Sequence, residues 1–170
     1  MADVALAMFM ERGYDAVTMA DIAARAEVSI STLFNYFPTK EALVFDRAAD
    51  IEEAIGAAIR ARPAGVSILG AFKAFLRQLP AFRKPMPKPL AAFQRFVRAH
   101  PALVDYERRL FQRYEAVLVA VIREEAGVDR LEAEAVTALA FDAYLRAKGS
   151  SAPGPMLDRL FEVLERGWPR

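Results

Sequence analysis

The chain of 170 residues contains no cysteine and a single histidine. The first absence excludes disulfides and thiolate metal sites and agrees with a reducing compartment, so a cytoplasmic protein is expected. The second leaves no histidine cluster for a metal and no histidine-dependent catalytic triad. His100 precedes Pro101 at an expected helix boundary and reads as structural. A phosphate-cradling glycine loop and a spaced set of carboxylates are also missing. Asp142 sits among apolar neighbours without a catalytic partner. Neither an enzyme, a metal site nor a cofactor is expected. No apolar stretch reaches about 18 residues without charge, which argues against a membrane span, and no secretory leader is visible. Beta-branched runs are scarce, nothing alternates at period two, and no repeat stands out. What remains is an all-α fold of about nine helices.

Charge is nearly balanced, with 23 Lys and Arg against 22 Asp and Glu, a net +1. Its distribution is uneven. Residues 1–50 carry four basic against eight acidic side chains, while 51–170 carry nineteen against fourteen.

The most informative stretch is Thr18 to Phe37, TMADIAARAEVSISTLFNYF. Thr18 can cap a helix start, and Asp21 three residues on completes an approximate capping box. Ile22, Ala23 and Ala26 form an apolar stripe at helical spacing. Glu27-Val28-Ser29 ends that helix, and Ser29 is a good N-cap for a second one. In the second helix Leu33 and Phe37 lie four apart and point inward with Val28, whereas Ser31, Thr32, Asn35 and Tyr36 share the opposite face. A short helix bearing hydroxyls and an amide suits the major groove of DNA.

Here the sequence resembles the TetR family of bacterial transcriptional regulators. The resemblance runs from Phe9-Met10-Glu11-Arg12-Gly13-Tyr14 through Val17-Thr18, the helix-turn-helix over 18–37, and Phe37-Pro38-Thr39-Lys40-Glu41-Ala42-Leu43. It implies a DNA-binding domain over residues 1–45 and an effector-binding and dimerisation domain over 46–170. Carried over residue by residue, it implies that Thr18, Ser31, Thr32, Tyr36 and Lys40 touch sugar-phosphate and that Asn35 lies near base edges. Ile30 and Phe34 have spacing compatible with the core, yet relatives often expose both positions to DNA. The acidic first fifty residues run against the basic footprint that nucleic-acid binding favours. The resemblance meets this with a basic arm preceding residue 1.

Helix one is expected to end at Arg12 with Val4, Leu6, Ala7 and Met8 mostly buried, and Gly13 fits a left-handed position just past it. Lys40 opens the next helix beside the positive end of its dipole, a mildly unfavourable place for a cation. A phosphate docked there would meet both the lysine and the free N–H groups. That helix is expected to run on to about Arg62, and Ala61-Arg62-Pro63-Ala64-Gly65 breaks it.

Further helices are expected over 66–79, 90–99, 101–126, 130–147 and 155–166, with the proline-rich 80–89 as a loop or kinked segment. Val136, Leu139, Ala140 and Ala143 on one of the last two match Leu157, Leu160, Phe161 and Leu164 on the other, spaced as broad apolar stripes. The resemblance implies that these helices pair with their copies in a homodimer, though stripes of this kind also suit packing within one subunit. A two-fold dimer would present two reading helices roughly 34–36 Å apart to a near-palindromic operator in double-stranded DNA. Phe72, Phe75, Phe93, Phe96, Phe111, Tyr114, Leu118, Phe141 and Tyr144 come from five helices and could line a cavity for an apolar effector, ordinary core being the other reading. Arg83, Lys84, Lys88, Arg95 and Arg98 surround the proline-rich segment. From His100-Pro101-Ala102-Leu103 onward the chain is loosely similar to relatives that bind acyl-CoA-like ligands. The expected protein is a repressor that leaves its operator when a small apolar or amphipathic effector binds. The competing reading, which the acidic N-terminal region favours, is a helical interaction module of the same fold without DNA affinity.

Overall fold

The computed structural model describes residues 1–82 and 88–169. Among these the chain is helical, with ten α-helices, one short 3-10 turn and no strand. The helices gather into two units. Met1–Ala49 associates with Val97–Arg108, and Asp50–Phe96 associates with Arg109–Arg170.

In the first unit α1 (Ala2–Arg12), α2 (Met19–Arg25), α3 (Ile30–Tyr36) and α4 (Lys40–Val44) surround a small apolar core. Ala5, Met8 and Phe9 are the buried positions of α1, while Ala7 is exposed and Val4 and Leu6 are half-buried. The stripe is therefore turned from the expected one, because Phe9 supplies the largest apolar side chain of that helix. Ile22, Ala23, Leu33, Leu43 and Val44 complete the core. Gly13 takes φ 87° and ψ 147° after α1, a positive φ with an extended ψ in place of the left-handed helical pair.

Three polar side chains cap the remaining starts. Thr18 Oγ1 accepts from the Asp21 N–H at 3.1 Å, and Asp21 Oδ2 accepts from the Thr18 N–H at 2.9 Å, a complete capping box. Ser29 Oγ accepts from the Thr32 N–H at 3.0 Å, and Thr39 Oγ1 from the Ala42 N–H at 3.3 Å. Each hydroxyl satisfies a donor that the first turn of a helix otherwise leaves unpaired.

The expected continuous helix from Lys40 to Arg62 is broken. It divides into α4 and α5 (Ala48–Arg60) at Phe45-Asp46-Arg47, where Phe45 leaves helical geometry at φ −112°, ψ 42°. The ring of Phe45 stacks on Tyr106, with centroids 5.5 Å apart. That long-range contact holds a bend for which no local sequence feature asks.

The second unit is built on α6 (Ile68–Gln78), α9 (Arg130–Gly149) and α10 (Pro153–Gly167), joined by α5, most of α7 (Lys88–Arg98) and most of α8 (Pro101–Ala126). Pro101 and Gly127 bound α8 at the expected residues. The 3-10 turn Pro80–Phe82 occupies the start of the proline-rich segment, whose residues 83–87 lie outside the described ones. Leu69, Phe72, Phe141, Leu157 and Phe161 fill the core of this unit. Among the described residues no helix is long and apolar enough to cross a membrane.

Candidate nucleic-acid interface

The seven residues of α3 divide cleanly by exposure. Leu33 is fully buried and anchors the helix, with Val28 and Phe37 half-buried beside it. Ser31, Asn35 and Tyr36 are exposed, Tyr36 at 69 %, and Thr32 is half-buried. Ile30 and Phe34 are 48 % and 45 % exposed, so the choice that spacing left open falls on the outward side. They sit one turn apart and give this surface an apolar strip beside its amide and hydroxyls. Asn35 and Tyr36 show no side-chain hydrogen bond within the described residues, which leaves the amide and the phenol available. The Ser29 hydroxyl lies 2.9 Å from that of Ser31 and 2.7 Å from that of Thr32, a short hydroxyl chain at the start of the helix.

The approach to α3 from α2 is tight. Glu27 takes φ 55°, and the Val28 N–H donates to Ala23 O at 3.0 Å. That bond and the left-handed residue before it form the Schellman turn that ends many helices. Glu27 and Thr18 are both exposed. The Thr18 hydroxyl also donates to Asp21 Oδ2 at 2.6 Å, and these bonds hold the Asp21 carboxyl below its ordinary value. A carboxylate thus stands beside the one hydroxyl of α2 expected to touch phosphate.

Lys40 meets the protein's own backbone. Its ammonium donates to Tyr14 O at 2.7 Å and Val17 O at 3.1 Å, and it lies 4.1 Å from the Tyr14 ring centroid. The cation at the start of α4 thus faces carbonyl oxygens of the α1–α2 loop. Next to it, the buried Tyr14 donates its hydroxyl to Glu41 Oε1 at 2.8 Å. Burial first, then the hydrogen bond and charge of Glu41, pushes the Tyr14 phenol upward. For Glu41 burial is the largest influence and pushes up. The N–H of its own backbone, the Tyr14 and Thr39 hydroxyls and the Lys40 charge outweigh it and hold the carboxyl down.

Residues 2–46 match the family model described as bacterial regulatory proteins, tetR family. This helix-turn-helix domain belongs to the TetR family. The chain is also 34 % identical over 131 residues to the HTH-type transcriptional regulator TcmR of Streptomyces glaucescens, a match covering 74 % of this chain. The chain spans 58 % of that relative's length. Among solved structures it is similar to the TetR family repressor AlkX of Dietzia sp. strain DQ12-45-1b, with TM-score 0.61, 20 % identity, and coverage of 98 % and 94 %. It is also similar to Thermus thermophilus FadR, a TetR family transcriptional repressor in complex with lauroyl-CoA, with TM-score 0.54, 22 % identity, and coverage of 98 % and 92 %. At such identities these two show a shared fold.

Outside the TetR domain, the structure brings many of the expected pocket residues together. Phe72 contacts Phe75 at 6.3 Å and Phe141 at 5.8 Å, Phe141 contacts Tyr144 at 6.4 Å, and Tyr144 contacts Phe111 at 6.1 Å. Phe111 meets Tyr114 edge-on at 6.1 Å, and Phe82, which sequence reasoning missed, adds a contact to Tyr144 at 5.8 Å. Leu118 is fully buried, and Phe93 and Phe96 are half-buried on α7. Lys88, Arg95 and Arg98 are exposed on α7, while Arg83 and Lys84 lie outside the described residues. Asp142 is exposed and pairs with Arg146 at 2.6 Å.

The apolar stripes of the last two helices divide by exposure. Val136, Ala140, Ala143, Leu157 and Phe161 are buried within this single chain, and Phe161 reaches Phe72 at 6.2 Å. They pack α9 against α10 and α6, the packing within one subunit that their spacing also allows. Leu139 is exposed, and Leu160 and Leu164 are half-buried. The exposed apolar side chains of these helices are Leu131, Leu139, Leu145, Met156 and Val163. A shallow groove of about 260 Å³ runs among Leu69, Val136, Leu139, Val163, Leu164 and Trp168.

Proposed function

We propose that the chain is a TetR-type DNA-binding transcriptional regulator, acting as a dimeric repressor that a small apolar or amphipathic effector releases from its operator. The observation that carries this reading is the outward face of α3, where Asn35, Tyr36 and Ser31 stand exposed above a buried Leu33. Thr18, Ser31, Thr32 and Tyr36 are the phosphate contacts in this reading, and Asn35 reads a base edge, adenine N6 and N7 being the pairing an amide makes best. Ile30 and Phe34 press on thymine methyls. No Arg or Lys lies on α3, so the strong bidentate guanine contact is absent and DNA shape carries part of the preference.

The rest of the chain, from about residue 46, binds effector and partner. The aromatic series from Phe75 through Phe141 to Tyr114 supports an apolar effector, and the lauroyl-CoA in the neighbouring FadR structure supports an acyl chain as its chemistry. The effector must bind the DNA-competent and released states with different free energies, otherwise the equilibrium does not move. The outward apolar positions of α9 and α10 support a two-fold partner.

Selection of duplexes from random sequence at stated salt, with and without lauroyl-CoA, tests the reading. Tyr36→Ala should weaken binding to every duplex alike. Asn35→Ala should instead relax preference at particular base pairs, by about 1–3 kcal/mol each. Failure of the wild-type chain to enrich any sequence would leave the interaction module, which the acid-rich N-terminal region favours.

A further inference from the structure

The core of the second unit holds one side chain that apolar packing does not ask for. Thr137 lies in the middle of α9 and is 2 % exposed, the sole buried polar or charged residue among the described ones once tyrosines are set aside. Its Oγ1 is shut off from solvent and meets no hydrogen-bond partner among the described residues. A threonine inside a helix can donate its hydroxyl to the carbonyl one turn back, and here the Ala133 carbonyl does not accept it. Leaving a buried hydroxyl unmatched costs stability that a valine of the same shape would not. Phe141 and Tyr144 follow at four and seven residues, the spacing that keeps side chains on one helix face. That face meets the aromatic series, with Phe141 at 5.8 Å from Phe72 and Tyr144 at 6.1 Å from Phe111. The unmatched hydroxyl thus shares its side of α9 with rings already assigned to the effector.

We propose that Thr137 is a specificity-determining residue of the effector site, its hydroxyl pairing with a hydroxyl or carbonyl that the effector carries within its apolar body. The inference rests on the reading of these rings as the effector site, and it narrows the effector to an oxygen-bearing apolar molecule in place of a plain hydrocarbon chain. A threonine hydroxyl donates to a carbonyl and accepts from a hydroxyl, so both chemistries fit. Set among Ala133, Ala140 and Phe141, it can tell an oxygen from a methyl group. A site that holds an unpaired polar group discriminates in this way far more sharply than an apolar wall does.

The test compares wild type, Thr137→Val and Thr137→Ser in the full chain. With nothing added, Thr137→Val should raise the thermal midpoint by about 2–6 °C, because valine keeps the shape and discards the unmatched hydroxyl. A midpoint that stays level or falls would mean that the hydroxyl is already satisfied in the free chain, and the proposal is overturned. The second arm is an NMR titration with para-cresol and para-xylene, which share a shape and differ by a hydroxyl against a methyl group. The wild-type chain should take para-cresol about tenfold more tightly, Thr137→Val should lose that preference, and Thr137→Ser should keep it. Equal affinities in the wild type, or a preference that survives in Thr137→Val, overturn the assignment of Thr137 and leave an apolar effector site standing. If neither compound binds the wild type, the aromatic series is not an effector site, and this proposal falls with that reading.

Discussion

Gly13 shows how one residue can be fixed by dihedral angles alone. Its φ of 87° with ψ 147° is a region that side chains with a Cβ avoid, although nothing lies within 4 Å of where a Cβ would stand. Gly13→Ala should therefore cost about 1–3 kcal/mol in the N-terminal unit through backbone strain, with no clash to relieve. Urea melts followed by amide NMR would measure it, and a loss under about 0.5 kcal/mol would mean that the loop relaxes freely. Glu41 gives a second prediction, with its sign set by linkage. Its carboxyl is held below the ordinary value in the folded chain. The stabilisation it brings is thus complete above the unfolded carboxylate pKa and disappears as pH falls through the lower folded value. From about pH 6 to about pH 3 the wild-type N-terminal unit should lose more stability than Glu41→Gln does. Parallel losses would show that the Tyr14 and backbone hydrogen bonds do not favour the ionised form.

Among the elements, those with punctuation at both ends were legible. Thr18, Ser29 and Thr39 announce α2, α3 and α4 because a hydroxyl at the start of a helix has a local task. Pro101 and Gly127 delimit α8 in the same way. The break between α4 and α5 was not legible. No proline or glycine lies between Lys40 and Ile55, and the bend depends on Phe45 meeting Tyr106 far along the chain. The bonds of the Lys40 ammonium were hidden for a similar reason. Sequence shows a cation at a positive helix end but not the carbonyls folded above it. The Schellman turn before α3 offers a test at this scale. Glu27 holds a left-handed φ of 55° that glycine adopts without penalty. Glu27→Gly should raise the stability of the helix-turn-helix by about 0.5–1 kcal/mol, part of the relief being offset by the greater freedom of unfolded glycine. A thermal midpoint that falls would mean that the Glu27 side chain contributes more than its backbone costs.

At the scale of the whole molecule, the last two helices must satisfy two apolar surfaces at once. Their inward side is closed by Val136, Ala140, Leu157 and Phe161, all buried in the single chain. Spacing alone could not divide the stripes, because Leu139 sits within one turn of both Val136 and Ala140 and yet is 55 % exposed. The outward side exposes Leu131, Leu139 and Val163, and the last two line an apolar groove. If this side joins two copies, placing a carboxylate there separates them without touching the core. Leu139→Glu combined with Val163→Glu should sediment as a monomer, keep its helical circular dichroism, and bind a near-palindromic duplex far more weakly, since each half-site is then engaged alone. Val136→Glu buries an unpaired charge and should unfold the second unit whatever its oligomeric state. A double variant that remains dimeric would move the partner surface off α9 and α10. The two recognition helices would then lie at a spacing set by some other face, and the expectation of half-sites one helical turn apart would go with it.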